Sequence, residues 1–181
     1  MKPTESPPAF MGAEWFRKMQ LELMLHTFAR ALEVPAPAVR GMSSEKLLRT
    51  FAAFSALQTG KALAEPDGGA RKARRLFDGA HRLGQAVRAL PPFRHVGTME
   101  LVAALYRNIG IAARGELPGE LVMGPCYFSA FYSPATCAFM RSFDAGVMSG
   151  IAGDGSLDFE SRITQGAPCC RALFTLEGDL Q

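Results

Sequence analysis

An α+β domain is what this sequence predicts, and three observations predict it. Apolar residues recur at helical spacing through the first half, short runs rich in branched and aromatic residues replace that period after Gly115, and the later segments read strand, strand, helix, strand, strand. Helices gathered ahead of an antiparallel sheet of about four strands cover one of its faces, which is the α+β arrangement. With 181 residues and 48% hydrophobic content the chain is sized for one core. Residues 13–181 therefore read as a single domain. Residues 1–12 read as a flexible leader, because MKPTESPPAF carries three prolines and no apolar run, so it resembles neither an export signal nor an anchor.

The elements follow in order. From Glu14 to Glu33 the set Phe16, Met19, Leu21, Leu23, Met24, Leu25, Phe28 and Leu32 forms a helix that stops before Pro35 and Pro37. Ser43 or Ser44 caps a second helix that turns Leu47, Leu48, Phe51, Phe54 and Leu57 inward. A third spans Ala70 to Leu90 and buries Leu76, Phe77, Leu83 and Val87; a fourth begins near Thr98 and buries Leu101, Val102, Leu105 and Ile109. Strands are expected at Glu120–Gly124 and Cys126–Phe131, then a helix capped by Ser133 with Pro134 at its first position and its end at Gly150. Two more strands are expected at Leu157–Thr164 and Cys170–Leu176, with Gly166 and Pro168 turning between them. In the former, alternation puts Leu157, Phe159, Ser161 and Ile163 on one face and Asp158, Glu160, Arg162 and Thr164 on the wet or pocket-lining face.

Composition excludes several classes of function. Twenty basic and 17 acidic residues leave a net charge of +3, which needs no anionic partner. The cluster Arg71, Lys72, Arg74 and Arg75 has no interleaved aromatics and reads as a solvated helix face, so no nucleic acid is expected as a partner. No apolar run reaches the roughly 18 residues of a spanning segment, so no membrane is expected either. Four cysteines without an export signal read as reduced thiols of a cytoplasmic protein. GIAGDG neither follows a strand nor opens a helix, so it is not a nucleotide loop.

Chemistry concentrates in residues 137 to 170, which hold three of the four cysteines, with Cys126 just ahead. Cys169 and Cys170 point to opposite faces of a strand, so at most one of them faces a given pocket. There is no C-x-x-C and no H-E-x-x-H, so no cofactor is expected, although Cys126, Cys137, Glu160 and Cys170 are chemically suited to a mixed zinc site. His26, His81 and His95 lie outside the window on or beside helices that packing explains, and are minor candidates for a general base.

CYFSAFY, then FDAGVMSG, then LDFESRITQGAPCC resembles the C-terminal half of the L-2-amino-thiazoline-4-carboxylic acid hydrolase family. Cys126, an aromatic at Tyr127 or Phe128, Tyr132, Asp144, Gly150, Leu157, Gly166 and Cys170 fall on that family's steps without a gap, over roughly Val122 to Phe174. Arg141 stands where the family tends to place a cysteine, with Cys137 four positions earlier, and Asp158, Phe159 and Glu160 replace a Thr/Arg-rich strand. Gly166-x-x-x-Cys170 before an apolar strand is also similar to the vinyl-4-reductase ligand-binding domains.

The resemblance implies a hydrolase acting on a small heterocyclic or amide substrate, or else a non-catalytic small-molecule-binding module; a homo-oligomer is compatible with both. Opening a thiazoline needs attack by water or a thiolate and a proton for the leaving atom. Cys126 or Cys170 beside Arg141 would be the nucleophile, and Asp144 would orient Arg141 or serve as base. Arg141 would alternatively clamp a carboxylate, with Tyr132 and Glu160 completing the binding set. Each has a plainer reading: cysteines as small core hydrophobes, Arg141 with Asp144 as a surface pair, and Tyr132 as a core residue with a satisfied hydroxyl.

Overall fold

The computed structural model describes residues 7–115 and 119–176 and places five α-helices and a four-stranded antiparallel sheet among them, an α+β fold. The helices are α1 (Glu14–Leu32), α2 (Ser44–Leu63), α3 (Ala70–Ala89), α4 (Thr98–Asn108) and α5 (Pro134–Ala152). The strands are β1 (Ile111–Gly115), β2 (Glu120–Cys126), β3 (Gly155–Ser161) and β4 (Cys170–Leu176). In the sheet the order is β1-β2-β4-β3, so the last strand fills the middle between β2 and β3.

Local chemistry fixes the helix ends. Ser43 Oγ accepts from the Lys46 amide at 3.3 Å, and the Glu14 carboxylate accepts from the Ser44 amide at 2.9 Å and its hydroxyl at 2.7 Å, which ties the start of α1 to the start of α2. Ser133 Oγ caps α5 through the Thr136 amide at 3.1 Å, with Pro134 at the first helical position. α5 continues two residues past Gly150 and ends at Gly153, whose φ of 94° suits a residue without a side chain.

Burial refines the expected faces. Met19 and Leu23 of α1 and Leu57 of α2 are exposed rather than inward, and of the expected α3 set Leu76 alone is fully buried, with Phe77, Leu83 and Val87 at the margin. The remaining contact of α3 is made by small residues: a Cβ at Gly84, Gly146 or Gly150 would overlap a backbone carbonyl of the facing helix, so α3 and α5 run nearly in backbone contact. The segment Ala9–Gly12, expected within a leader, forms a short 3-10 turn. It buries Met11 and packs Phe10 against Phe16 and Phe93.

Two strand expectations fail. The run from Tyr127 to Ala130 is a 3-10 turn, not a strand: Ser129 Oγ donates to the Cys126 carbonyl at 2.6 Å, and winding packs Tyr127 against Phe131 and Phe128 against Tyr132 in tilted pairs. The strand that pairs with β2 is β1 instead, through Ala113 opposite Met123 and Gly115 opposite Leu121. On the sheet face toward the helices lie Leu121, Met123, Leu157, Cys170, Ala172 and Phe174, all buried, while Asp158, Glu160 and Leu173 face outward.

β3 ends at Ser161, and its alternation breaks before that. The pairing slips between Phe159, opposite Ala172, and Ser161, opposite Arg171, leaving Glu160 as the extra residue of a bulge. One inserted residue flips every side chain after it. Ser161 therefore joins Arg171 on the outer face, accepting from the Arg171 amide at 3.2 Å, and the 3-10 turn Ile163–Gln165 that follows brings Thr164 as well as Ile163 to the helix side rather than leaving Thr164 on the wet face.

Candidate functional site

Between the sheet and the helices lies a cavity of about 70 Å³. Its apolar walls come from Met24 and Phe51 on α1 and α2, from Met123 and Phe159 on the sheet, and from Met140 and Phe143 on α5. Into this hydrocarbon lining project the groups capable of chemistry: Cys126 at the end of β2, Cys137 and Asp144 on α5, Cys170 at the start of β4, Thr164, and the rings of Tyr106 and Tyr132. Cys137 and Asp144 are two turns apart on one helix face, which is why both reach the same space.

Asp144 is the least ordinary of them. Its Oδ1 accepts from the Tyr106 hydroxyl at 2.9 Å, and its residual surface faces the cavity. Loss of water raises its carboxyl from 3.8 to about 7, against the opposing pull of the Tyr106 hydrogen bond and the positive charge of Arg162. Desolvation also drives the Tyr106 hydroxyl well up, with the Asp144 charge adding to it.

The thiols are set the other way from reactive ones. Burial pushes Cys126 up to about 11, and burial likewise raises Cys137 and Cys170. Cys170 Sγ accepts from the Ile163 amide at 3.3 Å, and the Thr164 hydroxyl approaches Cys137 without completing a bond of good geometry. Tyr132 lines the cavity with its ring while its hydroxyl is engaged with Ser55 Oγ at 2.6 Å, Ser55 itself donating to the Phe51 carbonyl. Burial raises that phenol too.

Arg141 and Glu160 stand outside this space. Arg141 turns to the sheet edge, donating to the Leu157 carbonyl at 3.1 Å and to Asp158 at 2.7 Å, so it neither activates a cavity thiol nor pairs with Asp144. A helical i, i+3 spacing brought the two into register along α5 but not onto the same partner. Glu160, the bulge residue, is exposed, so the mixed zinc set with Cys126, Cys137 and Cys170 is not assembled. No group of three His, Cys, Asp or Glu placed to hold a metal occurs among the described residues. Cys169 falls outside the cavity lining, as the opposite-face argument requires. His81, midway along α3, meets Asp154 just past the end of α5 at 2.9 Å, and His26 and His95 are exposed.

The cation beside the site is Arg162, which sequence reasoning placed on the wet face; it stacks behind the Phe159 wall and is not itself part of the cavity lining. Its guanidinium carbon lies 4.9 Å from the centre of the Phe159 ring, and its charge lowers the pKa of Asp144, Cys137 and Cys170 together. The signal that would have revealed it is the bulge, which no residue pattern in the strand declares. Tyr106, also missed, sits in a helix whose apolar period alone explains its neighbours.

A second cavity, of about 80 Å³, lies between α1, α3, α4 and α5. The two share Met24, Tyr106, Ile109, Phe143 and Asp144, so the Tyr106–Asp144 pair stands in the wall between them. Compared with models of protein families, with curated proteins and with solved structures, the chain matches none.

Proposed function

We propose that this chain binds a small, largely apolar molecule in the cavity between the sheet and α5. The observation that carries this reading is the lining: a space walled by methionines and phenylalanines with a few convergent polar groups, the usual make-up of a small-molecule site. Protonated thiols behave as small hydrophobes and add to the apolar wall rather than oppose it.

Isotopic labelling of the methionine methyl groups tests it. Titration with apolar fragments of benzene size is expected to move the Met123 and Met140 signals saturably and to leave Met42 and Met99, which lie off the cavity lining, in place. Fragments that shift all four alike, or none, would remove the reading.

Asp144 favours a second reading, the hydrolase that the sequence resemblance implies, run by acid/base chemistry. A carboxyl with a pKa of about 7 is divided between its acid and base forms at neutral pH, the condition for moving a proton in either direction. Thiol attack is disfavoured, since Cys126 at about 11 is almost wholly unionised there. Turnover of 2-aminothiazoline-4-carboxylate that survives Cys126→Ser but is lost in Asp144→Asn, with both variants folded, supports this reading. The reverse pattern sinks it.

A further inference from the structure

We infer that the two cavities form one binding site, and that its ligand is an uncharged chain with an apolar arm on each side of a single hydrogen-bonding group, such as a secondary hydroxyl or a ketone. This rests on the small-molecule reading above and names the class of molecule it takes.

Size gives the first argument. A dry apolar cavity of about 150 Å³ holds one benzene. The sheet cavity, at about 70 Å³, and the helical cavity, at about 80 Å³, each fall well short of that, and only the pair together reaches it. They also share walls, since Met24 of α1, Ile109 just past α4 and Phe143 of α5 line both. Met19, Leu23 and Leu90 are exposed and line the helical cavity, which gives it a mouth on the surface between α1 and the end of α3. A molecule entering there reaches the sheet cavity across the common wall.

That wall decides the chemistry. Its polar groups are the Tyr106 hydroxyl and the Asp144 carboxyl, joined at 2.9 Å through Oδ1. Asp144 Oδ2 makes no hydrogen bond among the described residues, and the carboxyl borders both cavities. A chain that crosses here with methylenes alone cuts Oδ2 off from any partner, and a desolvated polar atom left unpaired is costly. A hydroxyl at the crossing point completes it, donating to the carboxylate or accepting from the acid; a carbonyl accepts from the acid.

The charge and the place of that polar group follow. An ammonium would shed its water for walls of methionine and phenylalanine, a loss that one carboxylate seldom repays, and an anion would meet Asp144 as a like charge. A hydroxyl at the end of a chain holds Asp144 only by leaving one cavity empty. In mid-chain it holds Asp144 with both cavities filled.

The methionines report on the two spaces separately: Met19 lines the helical cavity, Met123 and Met140 the sheet cavity, and Met24 both. With their methyl groups labelled, heptan-4-ol, heptan-1-ol and butan-1-ol serve as probes. Heptan-4-ol is expected to move all of these signals over one saturation curve and to bind about fivefold more tightly than heptan-1-ol, the worth of one hydrogen bond. Butan-1-ol is expected to bind about fourfold more weakly for each methylene it lacks. Val87→Phe, which fills the helical cavity from α3, is expected to weaken heptan-4-ol at least about tenfold and butan-1-ol by no more than about twofold. Asp144→Leu is expected to keep both heptanols and to abolish the preference between them. Heptan-4-ol signals confined to Met123 and Met140, heptan-1-ol binding as tightly as its isomer, or heptan-4-ol affinity unchanged in folded Val87→Phe overturns the joined site and leaves the sheet-cavity reading standing. Failure of every alcohol at millimolar concentration overturns both.

Discussion

Ionising Asp144 costs this fold stability, because the charge must form where water is excluded. The sign follows from linkage: with the carboxyl at 3.8 when solvated and about 7 when folded, the folded state holds a proton that the unfolded state has lost throughout that interval. Stability therefore falls as pH rises from about 4 to about 7 and is level beyond, by on the order of 4 kcal/mol at one pKa unit per 1.36 kcal/mol. Asp144→Asn cannot ionise. Its urea-unfolding free energy is expected to lose this descending limb and to exceed that of the wild type at pH 8 relative to pH 5 by about 2–4 kcal/mol. Parallel profiles for the two proteins would mean that the carboxyl is wetter than the geometry implies. At this scale the sequence named Cys126, Asp144, Cys170 and Tyr132, and the cavity gathers all four. It named Arg141 as their cation, because helical spacing puts that side chain one turn from Asp144 and says nothing of the carbonyl and carboxylate waiting on β3.

Secondary-structure elements here owe their positions to different amounts of local information. Caps and prolines declared the starts of α2 and α5 almost to the residue, since Ser43 and Ser133 act on their own helix within one turn. β1 declared nothing: Ile111-Ala-Ala-Arg-Gly has little strand propensity and exists because β2 supplies its ladder. Tyr127 to Phe131 has the opposite character, an aromatic run of strand composition wound into a turn that packs its rings in tilted pairs. The glycines of the α3–α5 crossing allow a prediction with a built-in control. In Gly150→Ala the new methyl meets the backbone of His81 and Gln85, which cannot move as a side chain can, and a loss of about 2–4 kcal/mol is expected. Gly60→Ala on α2 meets nothing within 4 Å and is expected to gain about 0.5–1 kcal/mol from helix propensity. Equal shifts of the two midpoints in chemical denaturation would contradict close backbone packing of the helices.

For the whole molecule, the architecture was legible as a class and not as a topology. Segregated helical and strand patterns require a helical layer on a sheet, but the central place of β4 depends on long-range pairing that adjacent residues do not encode. Something must also hold the helical layer in one arrangement, and Arg88 is placed to do it. From the last turn of α3 it donates to the Ile151 carbonyl at the end of α5 at 2.9 Å, to the carbonyls of Phe93 and Val96 at 2.8 and 2.7 Å, and to Thr98 Oγ1 at the start of α4 at 2.9 Å. Three helices thus meet on one guanidinium, and the cation lies where the carbonyls of two helix ends make the field negative. Desolvation pulls its pKa down from the ordinary arginine value without threatening its charge. Arg88→Met fills similar space but leaves three carbonyls without this donor, so a loss of about 3–5 kcal/mol is expected. Arg88→Lys keeps the charge and cannot span the four acceptors, and should recover less than half of that loss. Amide exchange separates this role from simple packing: the first turn of α4 and the last of α5 should lose protection together in both variants while β2 and β4 keep theirs relative to global stability. Protection lost uniformly, or a cost below about 1 kcal/mol, would mean that water serves those carbonyls as well as the arginine does.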